Sequence, residues 1–248
     1  MPEIPAAVRT LDGDLRAVFG SRLQSLVVYG IHAREAEHGH TRHGHGHGHG
    51  EPPVLHTLAV VDQVGSDDLR DCASRLSEWH EAGLATPLLL ASDEFSRSLD
   101  VFPFEFSAIL ADHLVVSGKS PFDGLRVETA DLRRACEVQA RGHLLHLRQA
   151  FIETRGRGDA LAVLLVRSAP AWASLLQHVA RLDGRSTHDR LAAARHVERA
   201  LGVTNGVEEI VKLTGAKEIP SAEAQRMFPG YLDAAERLAT YVDQWSAR

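Results

Sequence analysis

Two apolar runs separated by a glycine constrain this chain most. Residues 23–29, LQSLVVY, end at Gly30, and residues 56–62, HTLAVVD, have a continuously apolar centre. A strand without polar alternation is one buried on both faces of a sheet. Around this pair the spacing predicts helices and further strands. Val8, Leu11, Leu15, Val18 and Phe19 recur at helical spacing within residues 5–20. Asp67 and Asp68 open a second helix that carries Leu69, Cys72, Leu76 and Trp79; acids suit that end of the helix dipole. TPLLLAS is a third strand, Ser92 is expected to cap a short helix over 93–98, and SLDVFPFEF (98–106) reads as a strand that Pro103 pushes to an edge.

From about residue 129 the pattern is helical throughout. Long amphipathic stretches cover 130–154 and 159–182, the second with Pro170 inside, where a kink or break is expected. Further helices are predicted at 187–201, 206–214 and 221–245. The chain therefore reads as α+β: an α/β part over residues 1–128 and an all-α helical bundle over 129–248.

Composition narrows the function classes. With 44% hydrophobic and 24% charged residues in 248, the chain is that of an ordinary globular protein with a sizeable core. A net charge of -6 argues against a nucleic-acid partner. Cys72 and Cys136 lie far apart without CxxC spacing, so they predict neither a disulfide framework nor a thiolate metal site, and each reads as a buried small hydrophobe. The N-terminus shows no basic-then-apolar leader, and the apolar runs LAVLLV and PLLLA are too short to span a bilayer. The expectation is a cytoplasmic protein with no membrane partner.

Several segments together resemble the nucleotidyltransferase superfamily that includes DNA polymerase beta and kanamycin nucleotidyltransferase, and more closely a group of uncharacterised bacterial nucleotidyltransferase-domain proteins. They are VYGI (28–31), VLHTLAVV (54–61), SLDVFPFEF (98–106), DHLVVSGKSPF (112–122) and GHLLHLR (142–148). The resemblance covers most of residues 23–150 and implies a small mixed β-sheet flanked by helices in the N-terminal domain. It also implies a metal-dependent transfer of a nucleoside monophosphate. Magnesium, a hard cation, would be held by two carboxylates on the second strand and a third on a later strand, with a Gly-Ser turn approaching the triphosphate.

This sequence departs from that pattern. The turn is Gly30-Ile31, and Leu55 and Thr57 align where the paired acids belong. Asp62 falls at the far end of the strand, leaving Asp100 and Glu105 as remnant acids, Glu105 the better candidate. The resemblance therefore implies a catalytically degenerate protein that retains nucleotide binding or serves as a scaffold for a protein partner. Gly30, Arg141 and Arg148 are its candidate nucleotide contacts. Arg134, Arg141 and Arg148 share a helix face at seven-residue spacing, and a solvated face is the plainer reading of them. His143 and His146 stand on this helix where the relatives carry Lys and Arg.

The segment between the first two strands contains a His/Gly-rich loop, residues 38–50, with His38, His40, His43, His45, His47 and His49. Glycine lets several imidazoles converge, and imidazole suits zinc, nickel or copper. The alternatives are thus an active nucleotidyltransferase rebuilt around a histidine metal site, and a transition-metal-binding protein acting through the loop. A tolerated low-complexity insertion is the plain reading of the same loop.

Overall fold

The structure, a computed structural model, describes residues 4–30 and 54–246. The histidines of the 38–50 loop, and Ile31, lie outside the described residues. By its internal contacts the chain divides into two units, Met1–Val127 and Glu128–Arg248. The architecture is α+β, with a small mixed four-stranded sheet among helices.

In the first unit, α1 (Ala6–Phe19) leads through one 3-10 turn into β1 (Leu23–Tyr29). Then follow β2 (His56–Val61), α2 (Ser66–Glu81), β3 (Leu88–Ala91), α3 (Ser92–Ser98), α4 (Pro103–Ala111) and β4 (His113–Gly118). The strand order is β3-β2-β1-β4. β1 runs antiparallel to both β2 and β4, whereas β2 and β3 are parallel. The central strands are buried on both faces, as their unbroken apolar runs require. On one face Leu26, Val28, Leu55, Ala59 and Val61 pack with Val8, Leu11 and Leu15 of α1 and Trp79 of α2. On the other, Val27, Leu58 and Val60 pack with Phe95, Leu99, Phe106 and Ile109.

Asp68 anchors the start of α2. Its carboxylate accepts the Gly65 N–H at 2.9 Å and two hydrogen bonds from Arg22 at 2.7 and 2.9 Å. Those donors, the Arg22 pair first, hold its carboxyl down at about 2.

The strand expected over 98–106 is absent. Residues 99–102 turn, and α4 begins at Pro103. Proline at the first helical position has its φ preset and lacks only an N–H that the helix would leave unpaired. The buried residues Pro103, Phe106, Ser107 and Ile109 follow the helical period, not alternation. Val101 and Phe102, which a strand would have paired, are exposed. The sheet instead takes its fourth strand from His113–Gly118. Ser92 does not cap α3 either: Ala91 is the N-cap, and Glu94 accepts its N–H at 3.2 Å.

The second unit contains α5 (Thr129–Glu153), α6 (Gly158–Leu182), α7 (Arg190–Leu201), α8 (Glu208–Val211) and α9 (Ser221–Asp243). α6 is continuous through Pro170, so the expected break does not occur. Its packing overrides the local cost: Leu165, Ala169, Trp172, Leu176 and Val179 are all fully buried. Among the described residues α6 is the one helix long and apolar enough to cross a membrane, although the run LAVLLV within it is short. Its neighbours in the bundle are α5, α7, α8 and α9. At the centre the His143 Nε2 and the Tyr231 hydroxyl are 2.6 Å apart, and the His143 ring stacks on Trp172 at 5.1 Å.

Candidate functional site

Gly30 ends β1 in the left-handed region, φ 73°, a conformation that favours glycine. Its N–H donates to the Asp112 carbonyl at 3.0 Å. The backbone donor nearest the expected phosphate site is thus already engaged within the fold.

Beside Gly30, Tyr29 of β1 pairs with His56 of β2 and with His113 of β4. The rings of Tyr29 and His56 stack at 5.6 Å. His113 holds the Ile109 carbonyl through Nδ1 at 3.0 Å and sets its ring against Phe122, which makes it part of the packing. Burial, reinforced by the charge of Glu105, raises the Tyr29 phenol above its usual range.

The two aligned positions, Leu55 just before β2 and Thr57 within it, point the other way. Leu55 belongs to the cluster under α1 and α2, and Thr57, which shares its side of the strand, is 1% exposed. Its hydroxyl is buried without a hydrogen-bond partner. His56 and Leu58 occupy the opposite face, so neither face carries a carboxylate pair at this end. Asp62 lies beyond the far end of β2, hydrogen-bonded to Gln24.

The two candidate acids, Asp100 and Glu105, are not on a strand. Asp100 is exposed in the turn before α4, and Glu105 is exposed in the first turn of α4. Glu105 reaches the Tyr29 neighbourhood electrostatically, whereas among the described residues no contact joins Asp100 to it. Among the described residues no group of three or more His, Cys, Asp or Glu side chains is placed to hold a metal ion.

Arg141 and Arg148 belong to the helical unit, not to the unit of Gly30. Both are neutralised locally. Arg141 pairs with Glu137 at 3.1 Å and Asp243 at 2.9 Å, and Arg148 with Glu236 at 2.6 Å. Arg134 approaches Asp131 at 3.7 Å. These bonds account for the arginine stripe as an ion-paired helix face. Exposed Val138, Leu145 and Ile152 interleave with it. His143 is not on this surface: burial lowers its imidazole to about 4, so it is neutral at pH 7. Both cysteines are buried and free, and burial pushes the Cys136 thiol up to about 12.

A second constellation lies entirely within the helical unit. A cavity of about 840 Å³ is lined by Thr129, Asp183, Arg185, His196, Tyr241 and Trp245, among others. Asp183, just past the end of α6, is its organising group. Its Oδ1 accepts from the Tyr241 hydroxyl at 2.9 Å and from the Trp245 indole N–H at 2.8 Å. Its Oδ2 is 2.9 Å from His196 Nε2. Three donors converge on one carboxylate whose side chain is 9% exposed. In the sequence Tyr241 and Trp245 fit a helical packing pattern, and nothing marks Asp183, Arg185 or His196. The four-residue spacing of Tyr241 and Trp245 was the only available signal, since Asp183 is 58 and 62 residues away from them.

No protein-family model matches this chain, and no curated protein matches it.

Proposed function

We propose that this chain is a nucleotidyltransferase-like protein that does not perform nucleotidyl transfer and acts by binding, as a scaffold. The strand, glycine turn and antiparallel second strand support the likeness. The observation that carries the loss of transfer is the side-chain content of β2 beside Gly30. Transfer from a triphosphate needs magnesium held between carboxylates, which neutralises the phosphates and activates the attacking oxygen. Leu55 and Thr57 occupy one face of the strand, His56 and Leu58 the other. No choice of register supplies a pair of acids. Glu105 is a single carboxylate on a helix, and the Gly30 N–H is engaged by Asp112.

The test is pyrophosphate release from ATP, GTP, CTP and UTP, with magnesium and then with zinc, using the full chain. No release above a protein-free control is expected. Release that disappears in the Glu105→Gln variant would sink this reading and favour an enzyme rebuilt around a histidine-containing metal site.

A further inference from the structure

We propose that the Asp183 cavity of the helical unit binds a small phosphomonoester carrying a flat ring, the chemical class of a nucleoside monophosphate. The inference does not depend on the nucleotidyltransferase reading, because every residue it uses lies between 129 and 246.

The size fits. A cavity of about 840 Å³ is within the range of small-molecule sites. The polar groups are divided into two kinds. Asp183 is engaged by Tyr241, Trp245 and His196, so it acts as an internal anchor. Its bonds to the phenol and the indole N–H fix two aromatic side chains at the cavity wall. A ring held at its polar edge is preorganised for a flat ligand, because little rotamer freedom remains to be lost on binding.

Arg185 is different. Its guanidinium is exposed at the cavity and has no hydrogen-bond or ion-pair partner among the described residues. That contrasts with Arg141, Arg148 and Arg195, each held by an acid. A planar fork of unengaged donors suits a phosphate oxyanion. His196 stands at the same cavity, with Nε2 2.9 Å from Asp183 Oδ2. Arg185 thus forms the oxyanion end, with His196 beside it in the cavity wall. Tyr241 and Trp245 form the ring end, with Thr129 and Gln244 available to polar ring or sugar groups.

The three tryptophans make the test specific. Trp79 and Trp172 are 3% and 0% exposed, whereas Trp245 is partly exposed at the cavity. The full chain is titrated with AMP, following tryptophan fluorescence and calorimetry, with inorganic phosphate and adenosine in parallel. Saturable quenching is expected, lost in Trp245→Phe, which removes the indole that reports it. Phosphate should compete. Arg185→Gln, at an exposed position, should keep the melting temperature and weaken AMP about tenfold or more. Adenosine should bind more weakly by a similar factor. Absence of saturable binding overturns the proposal. So does AMP affinity unchanged in both Arg185→Gln and His196→Gln, or adenosine binding as tightly as AMP.

Discussion

The core histidine of the bundle makes the stability of this protein depend on pH in a defined window. His143 is pinned between Trp172 and the Tyr231 hydroxyl, and burial lowers its imidazole to about 4. In the unfolded chain the same group titrates near 6.5. The folded value is depressed, so the unfolded state takes up the proton first. The contribution is therefore present above pH 6.5, is lost as pH falls from 6.5 towards 4, and changes no further below 4. Linkage gives a loss of about 2 kcal/mol between pH 7 and pH 5, and about 3 kcal/mol once the change is complete. Most carboxylates titrate below pH 5, so the upper part of the window belongs to histidines. His178, lowered to about 3 chiefly by burial, acts with the same sign. His143→Gln keeps a polar group beside Tyr231 but cannot titrate. Urea unfolding at pH 7, 6 and 5 should show the variant losing about 2 kcal/mol less than the parent over that span. Parallel profiles for the two proteins, or a His143 ring whose NMR titration midpoint lies near 6.5, would refute the reasoning.

Thr57→Val should stabilise the protein by about 1 kcal/mol, because it removes a buried hydroxyl without a partner while keeping the branched shape; destabilisation in thermal melts would mean that the hydroxyl is used. Gly206→Ala should cost roughly 3 kcal/mol or more, because φ is 84° there and a Cβ would lie 2.1 Å from the Gly230 carbonyl oxygen, which is backbone and does not yield. Gly118→Ala should act the same way on the β1–β4 pair, its Cβ falling 1.9 Å from the Gln24 carbonyl oxygen, and a cooperative unfolding midpoint near that of the parent would contradict the account. Deleting residues 38–49 should abolish nickel and zinc binding by the untagged chain, measured by calorimetry, and leave the melting temperature of the helical unit unchanged; retained metal binding would move the ligands elsewhere.

Elements governed by local pattern were legible in the sequence. β1, β2, α1 and α2 were visible because their apolar positions follow one period and their ends carry glycine or acids. The bundle helices were visible for the same reason. Ambiguity arose where two periods coexist. In SLDVFPFEF the aromatic residues alternate, yet Leu99, Phe106 and Ile109 also fall at helical spacing. Proline decided the matter by starting a helix, and β4 then completed the sheet from a segment not assigned to any element. Pro170 shows the converse. A local rule predicts a break, and the burial of the residues around it keeps α6 continuous.

Sites were less legible than folds for a related reason. Alternation along a strand fixes which residues share a face, but not which face meets the core. Alternation puts Leu55 and Thr57 on one side, and the packing of α1 and α2 against that side shows that they line the interior. A carboxylate pair at these two positions would be buried under two helices, at a cost that burial of unpaired charge makes severe. Acids on the His56 and Leu58 side would instead face Tyr29 and the field of Glu105. Neither side of the strand carries a carboxylate pair at this end, whichever alignment is used. The Asp183 cavity was hidden for the opposite reason. Its three donors come from α7, α9 and the chain just past α9, and no spacing in the sequence announces that they meet at one carboxylate.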